Sequence, residues 1–204
     1  AAAKVGGILA NAEKPVDFLL DNIKIQTNLI EASWNSNVKR LLFLGSSCIY
    51  PKYANQPIKE ESLLNGSLED TNQWYAIAKI AGIELCKSYR EQYGCNFISA
   101  MPTNLYGPGD NFDINSGHVL PGLVHKISDA LKYKKKTITI WETGKPKREF
   151  LFVDDIADAL VFLIKKYNKF DNINISYNKK VTNKNINKII SKITNYKENF
   201  IFDK

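Results

Sequence analysis

A chain of 204 residues, 44% hydrophobic and 24% charged, has the composition of a globular protein with one large domain or a domain plus a small lobe. It has no apolar run near the roughly 18 residues of a membrane helix and no charged-then-apolar leader, so we expect neither a membrane partner nor a secretory signal. The net charge of +7 comes from lysines mixed with asparagines, which favours a solvated surface over a nucleic-acid site. Three cysteines without metal or disulfide spacing predict a reduced, cytoplasmic chain with no metal site.

The first half of the chain predicts two helices and one strand. Apolar side chains recur at helical spacing over residues 17–36, at Phe18, Leu19, Ile23, Leu29 and Ile30. Residues 40–45 form a short apolar run, which is typical of a strand buried on both faces. Pro and Asn over residues 51–72 predict a long loop, and a second helix over residues 74–93 is predicted to stop at Gly94.

The second half continues the alternation of strands and helices. Strands are predicted over residues 97–101, 137–141, 173–176 and 200–202. Helices are predicted over residues 119–131, 155–166 and 183–193, with Asp154 as the cap of the middle one. Such an alternation predicts an α/β fold, a parallel sheet with helices on both faces.

Tyr75 and Lys79 lie four residues apart on the second predicted helix, so they share one face of it. A free phenol has a pKa of about 10 and is a poor acid or base near neutrality. A nearby ammonium favours the phenolate and is expected to lower the pKa of Tyr75, which would let the pair move a proton at neutral pH. Taken alone, a Tyr-x-x-x-Lys pair is more often two solvent-exposed side chains than a catalytic site.

The run Gly45-Ser46-Ser47-Cys48 follows the first predicted strand directly. Ligands of open parallel sheets bind outside the carboxyl ends of the strands, where a serine hydroxyl can donate to a carbonyl. Ser46, Tyr75 and Lys79 together therefore suggest a site that interconverts a ketone and an alcohol. On the residues alone, Cys48 fits a small core side chain. His118 fits a capping or surface role, and His125 fits a structural or surface role.

These residues resemble the extended short-chain dehydrogenase/reductase family, strongly over residues 1–165 and weakly beyond. The matching runs are Ala2-Ala-Lys-Val-Gly-Gly-Ile8, Leu42-Phe-Leu-Gly-Ser-Ser-Cys-Ile-Tyr-Pro51, Tyr75-Ala-Ile-Ala-Lys-Ile-Ala-Gly82, Met101-Pro-Thr-Asn-Leu-Tyr-Gly-Pro108, Asp110-Asn-Phe112, Ser116-Gly-His118 and Arg148-Glu-Phe-Leu151. The resemblance implies a parallel-sheet Rossmann-type fold with a small C-terminal substrate-binding lobe. It places residues 1–106 and 150–178 in an NADP-binding part, and residues 107–149 and 179–204 in the lobe.

The likeness is closest to the branch of the family that first epimerises and then reduces a GDP-linked 4-keto sugar with NADPH. It implies catalytic roles for Ser46, Cys48, Tyr75, Lys79 and His118, with Cys48 and His118 as the acid/base pair at carbons 3 and 5. The cofactor contacts it implies are Ala2, Ala3, Tyr75, Lys79, Pro102, Asn104, Leu105 and His118. The contacts it implies for the nucleotide-sugar substrate are Ser47, Lys126, Trp141 and Arg148.

The chain has no glycine-rich turn after a strand, which a dinucleotide fold needs to hold the pyrophosphate. We therefore expect it to be a fragment that binds NADPH weakly by itself, taken from a protein that is a homodimer when complete. Three alternatives stay open at this point. They are a sugar-nucleotide 4-epimerase or 4,6-dehydratase of the same fold, a catalytically silent relative, and a basic nucleic-acid-binding module.

Overall fold

The computed structural model describes residues 3–114, 116–140, 144, 146–197 and 199–202. Its helices are α1 (Ile8–Glu13), α2 (Pro15–Asn35), α3 (Gln73–Tyr93), α4 (Val119–Lys132), α5 (Val153–Lys166) and α6 (Asn183–Thr194). Its strands are β1 (Leu41–Leu44), β2 (Phe97–Pro102), β3 (Asn104–Tyr106), β4 (Thr137–Ile140), β5 (Lys147–Phe152), β6 (Ile173–Ile175), β7 (Lys180–Thr182) and β8 (Asn199–Phe202). The α/β prediction is confirmed.

The strands form three small sheets that are parallel except at one pairing. The main sheet has the order β1-β2-β6 with all neighbours parallel. A second sheet pairs β3 with β5 in parallel and β5 with β7 antiparallel, and β4 pairs with β8 in parallel. The carboxyl ends of β1, β2 and β6 therefore lie at one edge of the main sheet, where a parallel α/β fold places its ligands.

Helices cover both faces of the main sheet because successive side chains of β1 point to opposite faces. Phe43 joins the core formed with α2 and α3, which includes Ile30, Ile83 and Met101. Leu42 and Leu44 pack instead with Leu160 and Leu163 of α5. In the described part of the chain β1 bonds only to β2, and an apolar groove lined by β1, α2 and α5 runs beside it.

The α2 helix is present as predicted, but its buried face differs from the expected apolar stripe. The buried side chains recur every three or four residues and include three polar ones: Phe18, Asn22, Gln26, Ile30 and Ser33. Leu29, which we expected inside, is 50% exposed. The polar side chains point inward because Asn22 and Gln26 bond to the backbone of neighbouring segments.

Most predicted boundaries hold to within two residues, and α3 ends where Gly94 adopts a left-handed conformation with φ of 70°. The predicted cap of α5 is wrong: Phe152 occupies the N-cap position, and Asp154 lies in the first turn. The reason is that β5 runs directly into α5, so the helix begins earlier than expected. Asp154 and Asp155 still favour the positive end of the helix dipole.

A second core lies around α4, β4, α6 and β8. Its buried members are Leu123, Ile127, Ala130, Ile138, Ile140, Ile186, Ile190 and Tyr196. Thr182 caps α6 by accepting a hydrogen bond from the Asn185 amide. The assignment of two regions to a cofactor-binding part and a substrate-binding lobe stays a prediction.

Gly82 of α3 packs tightly against β1 and α2, so Gly82→Ala is expected to destabilise the fold by about 1–3 kcal/mol. An added Cβ would lie 2.5 Å from Cζ of Phe43 and 2.9 Å from Cδ of Gln26, whose amide is held by the Ala78 carbonyl. Thermal unfolding measures the effect, at about 2–4 °C per kcal/mol for a chain of this size.

Gly122→Ala is the matched control, because a Cβ on this α4 glycine would meet nothing within 4 Å. It should raise stability by about 0.5–1 kcal/mol, since alanine is the better helix former. Equal Tm values for the two variants would contradict the close packing at Gly82.

Candidate active site

The Ser46–Cys48 segment leaves the carboxyl end of β1 as a tight turn. Ser46 is extended and caps a short 3-10 helix over Ser47–Ile49. Its Oγ accepts a hydrogen bond from the Cys48 amide at 3.5 Å. Ile49 is fully buried in the core beneath, so the turn is anchored and holds Ser46, Ser47 and Cys48 at the edge of the sheet.

Lys79 ties α3 to this edge. Its Nζ donates to the carbonyl of Leu44, the last residue of β1, at 2.9 Å. The side chain is only 5% exposed, and its Nζ lies 4.9 Å from the ring centre of Phe43 and 5.7 Å from that of Tyr75. The predicted neighbours Tyr75 and Lys79 therefore do share a face, and that face is turned to the end of β1.

Burial shifts the pKa values of three groups in this cluster, each toward the neutral form. Burial raises the pKa of Cys48 to about 11, against smaller lowering effects from Ser46 and Lys79. Burial, and then Cys48, raise the pKa of Tyr75 above its ordinary value. Burial lowers the pKa of Lys79, although Cys48 opposes this.

The expectation of a lowered pKa for Tyr75 is therefore wrong for this structure, because burial raises that pKa and the neighbouring Cys48 raises it further. At neutral pH the Tyr75 phenol and the Cys48 thiol both keep their protons, so each is prepared to donate a proton rather than to accept one.

Alkylation of Cys48 should report its raised pKa. The thiolate is the reactive form, so the iodoacetamide rate should rise about tenfold per pH unit from pH ~7 without a plateau near the ordinary value of about 8.5. The rate is measured by mass spectrometry of the peptide that contains Cys48, which separates it from the half-buried Cys95. A plateau by pH ~9 would show that the thiol is not desolvated in this way.

His118 stands at the N-cap of α4 with an exposed side chain that gives the helix no cap bond. In the described part of the chain, no hydrogen bond or ion pair joins it to Cys48, Tyr75 or Lys79. Two residues before His118, the Ser116 carbonyl accepts a hydrogen bond from the Gly7 amide at 3.1 Å. The structure thus brings Ser46, Cys48, Tyr75 and Lys79 together and places His118 on a loop that bonds to Gly7.

Two polar side chains of α2, which the sequence analysis did not single out, bond to neighbouring segments: Asn22 to the segment leading to Gly7, and Gln26 to α3. Asn22 accepts from the Lys4 amide at 2.8 Å and donates to the Lys4 carbonyl at 2.9 Å. Gln26, one turn on, donates to the carbonyl of Ala78, next to Lys79. The sequence carries one signal for them: two amide side chains four residues apart, which therefore share one face of the helix.

The predicted cofactor contacts Pro102, Asn104 and Leu105 lie where β2 of the main sheet ends and β3 of the second sheet begins. Pro102 ends β2 and is buried, and Asn104 and Leu105 begin β3, with the Asn104 amide donating to the Glu149 carbonyl at 3.0 Å. Ala3 is half-buried before Lys4, whereas Ala2 lies outside the described residues.

The hydroxyl of Thr103, between β2 and β3, is buried without a hydrogen-bond partner among the described residues. Buried polar atoms without partners are rare in native proteins and need an explanation. The Thr103 hydroxyl and the Asn104 side-chain amide, which follow β2, are polar groups that fit the ribose and amide end of a nicotinamide cofactor.

The predicted substrate contacts are more dispersed. Ser47 lies in the turn after β1, and Lys126 on α4 donates to the Thr139 carbonyl at 3.0 Å, with its pKa lowered by burial. Arg148 lies on β5 opposite Val181 of β7. Trp141 lies outside the described residues, and the roles of all four stay predictions.

The described residues contain neither a metal-binding cluster nor a membrane-spanning helix. No group of three His, Cys, Asp or Glu side chains is placed to hold a metal ion. None of the helices combines the length and the apolar character needed to cross a membrane.

The sequence resembles known proteins over its whole length. The profile of the NAD dependent epimerase/dehydratase family matches residues 1–176. A GDP-L-fucose synthase of Sinorhizobium fredii is 55% identical over 203 residues, which is 100% of this chain and 65% of that protein. A probable GDP-L-fucose synthase of Oryza sativa subsp. japonica is 50% identical over 204 residues, which is 100% of this chain and 62% of that protein.

The fold is shared with a solved structure, a GDP-L-fucose synthetase from Naegleria fowleri bound to NADP. It superimposes with a TM-score of 0.91 at 33% identity, covering 99% of this chain and 62% of that one. The chain therefore spans less than two thirds of the length of these relatives.

Proposed function

This chain belongs to the NAD dependent epimerase/dehydratase family, and we propose that the protein it comes from is a GDP-L-fucose synthase. Such an enzyme converts GDP-4-keto-6-deoxy-D-mannose into GDP-L-fucose by epimerising carbons 3 and 5 and reducing the ketone at carbon 4. Relatives that are 55% and 50% identical to this chain are named for this activity, and the proposal assigns it to the whole protein from which the chain comes.

The observation that carries the proposal is the cluster at the end of β1. Ser46 and Cys48 lie on one anchored turn, and Lys79 donates to the strand residue that precedes the turn by two positions. A ketone seated there has a hydroxyl, a phenol and a thiol within one cluster. Ser46, Tyr75 and Lys79 suit carbonyl reduction in general, whereas Cys48 adds a group that reduction alone does not need.

Reduction uses the first three groups. When bound, NADPH supplies a hydride to carbon 4. The Tyr75 phenol, which keeps its proton at neutral pH, donates that proton to the ketone oxygen as negative charge develops there. The Ser46 hydroxyl donates a hydrogen bond to the same oxygen, and the Lys79 ammonium stabilises the resulting phenolate.

Epimerisation uses the same ketone and a second pair of groups. The carbonyl acidifies the hydrogens on carbons 3 and 5, so each can leave as a proton and return on the other face. Cys48 and His118 are the acid/base pair in this proposal: the Cys48 thiol, which burial keeps protonated at neutral pH, donates a proton, and His118 is the base that removes one. Ser46 and Tyr75 stabilise the enolate oxygen just as they stabilise the alkoxide.

The remaining contacts follow from the resemblance and from the chemistry of the side chains. Asn104 and the Thr103 hydroxyl are proposed to contact the nicotinamide end of the cofactor. The proposed cofactor is NADPH rather than NADH. Lys126 and Arg148 are proposed to bind the diphosphate, Arg148 as a fork of donors and Lys126 as a point charge. A homodimer and a cytoplasmic location complete the proposal.

The experiment that tests it measures cofactor turnover by the whole protein. With GDP-4-keto-6-deoxy-D-mannose and NADPH, one NADP⁺ should be released for each sugar converted, and chromatography should identify the product as GDP-L-fucose. A 4-epimerase or 4,6-dehydratase returns its cofactor unchanged at the end of each cycle. Sugar conversion without net NADPH consumption would therefore overturn the proposed function in favour of that group.

A further inference from the structure

We infer that His125 is a positioning residue that fixes the loop carrying His118; this inference rests on the proposed function. The His125 ring lies on α4, two helical turns beyond His118. Its Nδ1 is 2.5 Å from the carbonyl oxygen of Phe112, and its Nε2 is 3.5 Å from Oδ2 of Asp129. The sequence alone favoured a structural or surface role for this histidine.

The partners of the His125 ring determine which of its nitrogens carries a hydrogen. A carbonyl oxygen only accepts, so Nδ1 must carry a hydrogen and donate it to Phe112. Asp129 faces the opposite nitrogen, and its carboxylate, which also only accepts, attracts the ring when Nε2 carries a hydrogen as well. The pair therefore works as a brace between the middle of α4 and the start of the loop.

The described residues of this loop, 111–114 and 116–118, form one tightly folded unit. Asp113 Oδ1 accepts from both the amide and the hydroxyl of Ser116 at 2.8 Å, and the Asn111 amide donates to the Ser116 hydroxyl at 3.0 Å. A Cβ on Gly117 would lie 2.5 Å from the Asn111 and Asp113 carbonyls, so the turn admits only glycine there. A displacement of one part of such a unit moves the rest of it.

Two external bonds hold this unit in place at its two ends. One is the contact of His125 with Phe112, and the other is the bond from the Gly7 amide to the Ser116 carbonyl. His118 follows the unit directly, with its own side chain exposed and unused in capping. The direction of the His118 imidazole therefore depends on where the two external bonds hold the loop.

A matched pair of variants tests the brace. The amide nitrogen of asparagine can occupy the position of Nδ1, whereas that of glutamine reaches the position of Nε2. His125→Asn should therefore keep the bond to Phe112, and His125→Gln should lose it. In the whole protein, His125→Gln is expected to slow exchange of the carbon 3 and 5 hydrogens with D2O by about 10- to 100-fold, since small misplacements of a catalytic group have effects of this size.

His125→Asn should stay within about threefold of the unmodified protein, and KM should change little in either variant, because His125 contacts no substrate in this account. Amide hydrogen exchange over residues 111–118 gives a readout independent of activity. The Gln variant should lose protection there and the Asn variant should keep it, with equal Tm values.

The outcomes separate the two claims. No sugar exchange by the unmodified protein would overturn the proposed function, and the protection pattern would still test the brace. Equal loop protection, or equal sugar exchange, in the Asn and Gln variants would overturn the positioning role of His125.

Discussion

Replacing Tyr75 by phenylalanine in the whole protein should lower kcat for ketone reduction by about 10²- to 10⁴-fold, the usual contribution of a positioned proton donor. Phenylalanine keeps the ring beside Lys79 and removes only the hydroxyl, so the loss reports the proton and not the packing. Because burial raises the pKa of Tyr75, the phenol carries its proton at neutral pH and suits the direction of reduction.

Single-turnover oxidation of NADPH is the appropriate measurement for Tyr75→Phe, since it excludes product release. Tyr53→Phe is the control, because Tyr53 is 85% exposed and lies on the loop after the turn. The control should match the unmodified protein. A loss below tenfold in Tyr75→Phe would mean that another group protonates the ketone oxygen.

The second large effect concerns Cys48→Ser and His118→Asn, which should remove epimerisation and leave reduction. Each variant should lower solvent-deuterium exchange at carbons 3 and 5 by about 10²- to 10⁴-fold. The serine hydroxyl is a far weaker acid than a thiol, and asparagine does not titrate. Reduction should persist, because Ser46, Tyr75 and Lys79 are untouched.

Cys95→Ser is the control for the loss of a thiol, since Cys95 is half-buried and lies outside the site. Mass spectrometry of the product distinguishes the results. Full deuterium incorporation by both Cys48→Ser and His118→Asn would show that other groups move the protons of carbons 3 and 5, and would overturn the assignment of Cys48 and His118 as the acid/base pair.

The sequence predicted the main sheet and its helices because their signals are local. The apolar runs of β1 and β2 and the helical stripes of α3, α4 and α5 decide those elements without long-range information. Tyr75 and Lys79 were correctly expected to share a face, and the Ser46–Cys48 turn was correctly expected at a strand end.

Other features depend on contacts that no local pattern carries. β3 and β7 have three residues each, and β5 begins Lys-Arg-Glu, so their strand character comes from pairing with one another. The pKa of Tyr75 was misjudged because the charge of Lys79 is visible in the sequence and the depth of burial is not. The brace at His125 joins residues 13 positions apart through a backbone carbonyl, which leaves no side-chain pattern.

Our central proposal is that one active site both epimerises and reduces the same ketone. The most direct test is turnover of GDP-4-keto-6-deoxy-D-mannose by the whole protein in D2O with NADPH, followed by NMR of the product. We predict deuterium at both carbon 3 and carbon 5 of a product reduced at carbon 4. A reduced product with no deuterium at either carbon would contradict the claim.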